Sequence, residues 1–135
     1  MGSTTRVDWR GADLRGVNLQ GVNLEGADLR GADLRGVNLS QTNLRYADLR
    51  GSQLQQANFQ RANLYGAKMQ GAEAQMTDFR GADMRCANLA GAYLDGAMMQ
   101  TQEHGKSALQ AILSGQNTPS QQAPEREVQR GGREM

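Results

Sequence analysis

Large apolar residues occupy every fifth position along most of this chain. In the stretch RGADLRGVNLQGVNLEGADLRGADLRGVNL, residues 10–39, leucine recurs at that interval without a break. A five-residue step advances about 140° around a helix and reverses the face of a strand, so neither element keeps the leucines together. The pattern therefore predicts a chain that turns a corner once per repeat, with three extended residues and two in the bend.

Nineteen repeats follow one another, each centred on one residue that is usually large and apolar. These centres are Trp9, Leu14, Leu19, Leu24, Leu29, Leu34, Leu39, Leu44, Leu49, Leu54, Phe59, Leu64, Met69, Ala74, Phe79, Met84, Leu89, Leu94 and Met99. A small residue lies two positions before each centre, and the residue between them is usually Asp or Asn. In a three-residue strand this alternation places the small and large residues inside and the polar residue outside.

Glycine usually lies two positions after the centre, where a tight corner requires backbone freedom. Six corners carry other residues, so glycine is favoured there and not required. They are Gln41, Tyr46, Gln56, Arg61, Met76 and Cys86.

The repeated unit A-(D/N)-L-x-x resembles the unit of the pentapeptide-repeat family, and the resemblance covers residues 7–101. It implies an all-β solenoid, a right-handed quadrilateral β-helix with four pentapeptides per coil and nearly five coils in this chain.

A second period of 20 residues runs through the repeats. The residues before successive centres recur in the order Asp, Asp, Asn, Asn, and residues 10–29 match residues 30–49 at 15 of 20 positions. Four repeats per coil predict this register. Recent duplication of a 20-residue segment explains it equally well, and both explanations stay open.

Stacked coils would bring residues 20 positions apart together, which predicts two charged faces and two largely neutral ones. The first charged face carries the columns Asp8, Asp28, Asp48 and Arg10, Arg30, Arg50. The second charged face carries Asp13 and Asp33 beside Arg15 and Arg35. Asparagine ladders, whose amides are expected to hydrogen-bond between coils, occupy the neutral faces at Asn18, Asn38, Asn58 and at Asn23, Asn43, Asn63.

The arginine columns are the candidate binding strip for a partner. A row of guanidinium groups can make repeated bidentate contacts to a partner rich in carboxylates or phosphates. The alternative is a solvated face that its own aspartates neutralise. The candidate residues are Arg10, Arg30, Arg50, Arg15, Arg35, Asp8, Asp28 and Asp48.

Two residues break the uniformity of the core. Ala74 replaces a leucine, and the space is expected to be filled by Phe59, Phe79 or a flexible methionine. Trp9 opens the repeats, where it is expected to plug the first coil; anchoring a partner at the surface is the alternative.

The regions outside the repeats have a different pattern. Residues 1–6 and 116–135 are expected to be disordered. Residues 102–115 predict a short helix, because Ser107 and Gln110 form a capping box and Gly115 is a typical C-terminal stop. Its apolar face should cover the last coil or, alternatively, form a dimer contact, and it consists of Leu109, Ile112 and Leu113.

The composition offers no catalytic or metal-binding constellation. The 135 residues include one cysteine, Cys86, and one histidine, His104, and the formal net charge is +1. The carboxylates are periodic and exposed, and nothing desolvates one of them to raise its pKa. We therefore expect a non-enzyme without cofactor, metal or membrane span, located in the cytoplasm.

The favoured functional hypothesis is a rigid scaffold that presents its ladders to a protein partner of unknown identity. The family resemblance supplies an alternative, inhibition of DNA gyrase by mimicry of duplex DNA with protection from quinolones. That mimicry requires dense negative charge, whereas residues 7–101 carry ten basic and ten acidic side chains. A membrane-associated or secreted effector is a second alternative. No direct nucleic-acid binding is expected, and the chain is expected to be a monomer or a homodimer through one end of the solenoid.

Overall fold

The computed structural model describes residues 6–99, and they form a continuous ladder of parallel β-bridges. Every bridge joins two residues 20 positions apart, as in the series Asp8, Asp28, Asp48, Lys68 and Asn88. Four five-residue repeats therefore complete one circuit of the chain. The predicted four-repeat register is confirmed.

No helix and no strand occurs in residues 6–99; the pairing consists of isolated bridges, one per repeat. Each bridged residue has one residue outside the turns on either side, and two turn residues follow, as at 7–9 and 10–11. This agrees with the predicted division of each repeat into three residues along a side and two in the bend. The predicted helix 102–115, with Leu109, Ile112 and Leu113, lies outside the described residues, as do residues 1–5, His104 and the tail.

Each corner is a hydrogen-bonded turn of the same construction. In the first, the N–H of Ala12 donates to the carbonyl of Trp9 at 3.1 Å, and Gly11 has φ 67°. Positive φ at the third residue of such a turn is the mark of type II, and glycine adopts it without steric cost.

The six corners predicted to lack glycine all have positive φ, between 59° and 63°. An L-residue other than glycine pays about 1–2 kcal/mol for this conformation. The corners thus have the predicted geometry whichever residue occupies them. The six are Gln41, Tyr46, Gln56, Arg61, Met76 and Cys86.

Hydrogen bonds between coils hold the stack together. The N–H of Trp9 donates to the carbonyl of Asp28 at 2.8 Å, and the N–H of Asp28 donates to the carbonyl of Val7 at 2.8 Å. A third bond at the corner links the N–H of Gly11 to the carbonyl of Arg30 at 3.0 Å. The same bonds recur in successive coils, so backbone N–H and carbonyl groups are paired although no continuous strand forms.

The core is a narrow apolar column inside the coils, as the alternation of small and large residues predicts. All centres from Leu24 to Leu89 are at most 4% exposed. Three buried hydroxyls replace alanine or valine in it and donate to backbone carbonyls; Thr77 Oγ1, for example, bonds the carbonyl of Leu54 at 2.6 Å. Each hydroxyl thereby avoids the cost of an unpaired polar group. The three are Thr42, Ser52 and Thr77.

Two centres of the core are phenylalanines. Phe59 and Phe79 are fully buried, with ring centroids 5.2 Å apart. Ala74, also fully buried, is the centre immediately before Phe79 along the chain. Trp9 is partly buried and packs against the core, in agreement with the core position expected for it.

Candidate interaction surfaces

Residues 6–99 hold no group of three or more His, Cys, Asp or Glu side chains that could bind a metal ion. In the same residues, no helix has both the length and the apolar character needed to cross a membrane. Cys86 is exposed and has no disulfide partner there. The surface of these residues consists of columns of side chains repeated from coil to coil.

Asp8, Asp28 and Asp48 form the predicted aspartate column, and bridges connect them in that order. Each aspartate is held by the arginine two residues later. Arg30 Nε donates to Asp28 Oδ1 at 2.8 Å, and Arg30 Nη2 donates to Asp28 Oδ2 at 2.6 Å. Arg10, Arg15, Arg35 and Arg50 repeat this bidentate contact.

Weaker contacts extend the pairs into a ladder between coils. Arg10 Nε lies 3.6 Å from Asp28 Oδ2, and Arg30 Nε lies 3.7 Å from Asp48 Oδ2. Each of these arginines therefore lies between two carboxylates of its column. The predicted neutralisation of the aspartates by neighbouring arginines is present in the structure.

The arginines also lower the pKa of the carboxyl groups. The hydrogen bonds from Arg30 lower the pKa of Asp28 to about 2. The pKa of each other paired aspartate is likewise lowered, chiefly by the side-chain hydrogen bond from its arginine. These groups are Asp8, Asp13, Asp33, Asp48, Asp78 and Asp83.

Acidification is expected to lower the melting temperature by several degrees. Because the pKa of Asp28 falls from 3.8 to about 2 on folding, protons bind the unfolded chain more readily. The stabilisation is complete above the unfolded pKa and is lost as pH falls through the folded pKa. Melting curves between about pH 5 and about pH 2 test this. The change should be smaller in Asp28→Asn/Asp48→Asn, and a constant melting temperature in the unaltered chain would contradict it.

The paired arginines limit what the candidate strip can offer a partner. Arg10, Arg30 and Arg50 already use Nε and Nη2 on their own aspartates. An incoming carboxylate must bind the N–H groups that remain on Nη1 and Nη2, or displace an aspartate. Docking on this strip stays a prediction.

Charged side chains occur on the two faces predicted to be largely neutral. In the first coils one of these faces carries Glu25 and Arg45, 20 positions apart. Further along the chain, Asp78 pairs with Arg80 at 2.7 Å and Asp83 pairs with Arg85 at 2.8 Å. Asp78 bridges to Asn58 and Asp83 to Asn63, so the later coils carry ion pairs in the asparagine columns.

The asparagines of these columns close their own turns. Asn18 Oδ1 accepts the backbone N–H of Gln20 at 3.1 Å, and Asn58 Oδ1 accepts that of Gln60 at 2.9 Å. The aspartates accept the same local bond, which explains why both residue types suit this position. The expected amide ladder between coils is therefore wrong for the asparagine oxygens. Asn43 does reach a neighbouring coil, where its Nδ2 donates to Glu25 Oε1 at 3.3 Å.

Three arginines depart from the paired arrangement. Among residues 6–99, none of Arg6, Arg45 and Arg61 has a carboxylate oxygen within 4.0 Å. Arg61 lines an open polar groove of about 430 Å³. The other residues of the groove are Gln20, Ser40, Gln41, Gln60, Arg80 and Gly81.

Arg45 belongs to a surface cluster that we call the tyrosine–arginine corner, composed of Arg45, Tyr46, Tyr65, Arg85 and Cys86. The Arg45 guanidinium carbon lies 5.6 Å from both tyrosine ring centroids. The rings pack edge to face at 5.9 Å, and the Arg85 guanidinium carbon lies 5.6 Å from the Tyr65 centroid. Hydrogen bonding to Cys86 raises the pKa of Tyr65.

The sequence pattern did not predict this cluster, because Arg45, Tyr65 and Arg85 lie 20 positions apart. Tyr46 was recognised only as a corner residue, and Tyr65 occupies an ordinary outward position. The signal was present: in a 20-residue coil, positions 45, 65 and 85 form one column, and positions 46 and 86 lie in the column beside it. The cluster is visible in the sequence when the outward positions of successive coils are aligned in the same way as the core positions.

Family comparison gives a consistent match. The family model for pentapeptide repeats matches eight copies over residues 5–36, 32–71 and 62–100. No curated protein matches the chain significantly.

Solved structures of similar proteins include two from cyanobacteria. The pentapeptide repeat protein Rfr23 of Cyanothece 51142 is 32% identical with a TM-score of 0.71, and the match covers 73% of this chain and 67% of Rfr23. HetL of Nostoc sp. strain PCC 7120, involved in heterocyst differentiation regulation, is 33% identical with a TM-score of 0.51. That match covers 68% of this chain and 41% of HetL.

QnrB1, a plasmid-mediated fluoroquinolone resistance protein, is a more distant match. It is 20% identical with a TM-score of 0.29, and the match covers 78% of this chain and 65% of QnrB1. A likeness of this degree carries no argument about function.

Proposed function

This chain belongs to the pentapeptide-repeat family, and from that premise we propose that it is a non-enzymatic scaffold that binds a protein partner. Proteins of this family form right-handed quadrilateral β-helices. The proposal includes nearly five such coils, a cap formed by residues 102–115, and either a monomer or a homodimer through one end. We further propose that the protein acts in the cytoplasm without a cofactor.

The observation that carries the proposal is the unbroken bridge register of the described residues. All fifteen bridges span 20 residues, so outward side chains stand at fixed positions along each face. A surface ordered in this way loses little conformational entropy when a partner binds. Regular spacing of exposed polar groups suits recognition of an extended partner surface, whereas it supplies no enclosed site for chemistry.

The partner-binding face remains a proposal. The strip of Arg10, Arg30 and Arg50, with Arg15, Arg35 and their aspartates, is one candidate for a carboxylate-rich or phosphate-rich partner. Its arginines are exposed by 43% or more of their side-chain area, which leaves each of them accessible.

Gyrase inhibition by DNA mimicry is not part of the proposal. A mimic of duplex DNA needs dense negative charge along its axis. Residues 6–99 contain eleven Lys and Arg side chains against ten Asp and Glu side chains. No described feature favours the effector alternative either.

Affinity capture from a native lysate tests the scaffold proposal. The intact protein is expected to retain a reproducible protein partner, which a Leu39→Asp/Leu44→Asp variant should lose because it buries two carboxylates in the core. Equal recovery on both proteins would contradict the proposal, since an ordered surface would then be unnecessary.

The same experiment separates the arginine strip from other faces. If the strip binds the partner, Arg10→Ser/Arg30→Ser/Arg50→Ser should lose it while circular dichroism shows an intact fold. An unchanged set of captured proteins would exclude the strip and leave the scaffold proposal in place.

A further inference from the structure

We propose that the tyrosine–arginine corner is a docking site for an acidic peptide segment of a protein partner, one carboxylate binding Arg45 and an adjacent apolar side chain packing on Tyr46 and Tyr65. The inference rests on the proposed scaffold function and locates its binding surface. The corner lies apart from the arginine strip, and Arg45, unlike the arginines of the strip, has no aspartate partner.

Arg45 is available to bind a carboxylate from outside the chain. Seven other arginines each hold an aspartate by two hydrogen bonds, whereas Arg45 has no carboxylate oxygen within 4.0 Å in residues 6–99. Its guanidinium lies near two aromatic rings, and such packing leaves the N–H groups at the edge of the plane free for a bidentate contact.

The nearby acidic groups have other partners. Asp83 is held by Arg85 at 2.8 Å, and Glu25 Oε1 accepts a hydrogen bond from Asn43 Nδ2. No carboxylate oxygen of residues 6–99 lies within 4.0 Å of the Arg45 guanidinium, so its N–H groups are open to a carboxylate of an acidic occupant. A single available guanidinium suits one carboxylate; a nucleic acid requires several cations along its backbone.

The two tyrosines supply the apolar part of the site. Tyr46 is 52% exposed although it is one of the largest side chains of the chain, and its ring meets that of Tyr65 edge to face. Tyr and Arg are the residue types that, with Trp, most often dominate the binding energy of protein interfaces. Here two of each lie within one cluster.

The fold does not require a tyrosine at position 46. Tyr46 has φ 60°, a conformation that twelve described corners adopt with glycine. A β-carbon on Gly66, one coil further along, would lie 2.6 Å from the Tyr46 ring, so the absence of a side chain at Gly66 makes room for the ring. Five other corners have a residue other than glycine at a similar φ, so the backbone alone does not distinguish Tyr46. Its ring contacts with Arg45 and Tyr65 do.

The direct test uses a labelled peptide of alternating glutamate and phenylalanine, titrated into the full chain and followed by fluorescence anisotropy. We expect saturable binding that Arg45→Gln weakens about tenfold and that Tyr46→Gly/Tyr65→Ser abolishes. Glycine is the common residue at corners, and Ser40 occupies the place equivalent to Tyr65 in another repeat, so the double variant is expected to fold. Melting curves verify this for each variant.

Matched controls identify the site. Arg80→Gln removes an arginine held by Asp78, and Tyr93→Ser removes a tyrosine that is 56% exposed outside the corner. Both should bind the peptide like the unaltered chain. High salt should weaken the Arg45 contribution, because it screens charge, and leave the aromatic contribution.

Several results would overturn the inference: no saturable binding, equal binding by all variants, equal affinity for a lysine–phenylalanine peptide, or preference for a single-stranded thymidine oligonucleotide. None of them decides the scaffold proposal, whose capture experiment uses the whole surface. A partner captured by a protein whose corner binds no acidic peptide would place the interface on another face.

Discussion

Replacing Phe59 with alanine is expected to lower the free energy of unfolding by about 3–5 kcal/mol. Phe59 is fully buried, and its ring lies 5.2 Å from that of Phe79, so the substitution loses both the buried area and the ring contact. Each coil is held by its neighbours, and the backbone hydrogen bonds between coils prevent the stack from collapsing into the space. Urea unfolding followed by circular dichroism measures the loss.

Tyr93→Ala is the control for this prediction. Tyr93 is 56% exposed, so removal of its ring should cost far less than removal of Phe59. Because a solenoid can unfold in sections, the comparison covers the shape of the whole unfolding curve as well as its midpoint. Equal losses in the two variants would contradict a core that depends on the Phe59–Phe79 contact.

Gly66→Ala is expected to destabilise the protein by about 2 kcal/mol, more than the same change at Gly51. Both glycines have positive φ, 69° and 67°, so alanine pays the same conformational cost at each. At Gly66 the added methyl group would also lie 2.6 Å from ring carbons of Tyr46, whereas at Gly51 it would meet nothing within 4 Å. The difference in unfolding free energy between the two variants measures the cost of displacing the Tyr46 ring.

A double variant separates the two contributions. In a Tyr46→Gly background, Gly66→Ala should cost no more than Gly51→Ala, because the ring is absent. Thermal melting of six proteins is sufficient: the unaltered chain and Tyr46→Gly, each alone, with Gly66→Ala and with Gly51→Ala. If Gly66→Ala remained costlier in that background, the extra loss would come from the backbone and not from Tyr46.

The sequence was sufficient to predict the backbone path of the repeats. The interval of five and the order Asp, Asp, Asn, Asn led to the pairing of Asp8 with Asp28 and to the six corners that lack glycine. These features depend on which residues are small, large or glycine, and a corner-turning chain has few ways to bury them. The aspartate–arginine pairs followed from the same register.

The hydrogen bonds of the outward side chains could not be predicted in the same way. Asn58 can bond its own turn or the next coil, and both choices fit the pattern of the sequence. The oxygen takes the backbone N–H of Gln60 because the turn already holds that group close by. Whether such an oxygen bonds its own turn or the next coil depends on distances that a repeat pattern does not specify.

The sequence by itself thus determined the four-repeat register, the apolar column and the positions of the corners, because burial and backbone sterics act on every repeat alike. Only the tertiary structure decided which side chains of neighbouring coils meet at the surface. Arg30 binds Asp28, two residues earlier, whereas Asn43 occupies that place before Arg45. The sequence therefore already separates the two arginines, but the approach of Tyr65 to Arg45 comes from the next coil, which only the folded stack brings into contact.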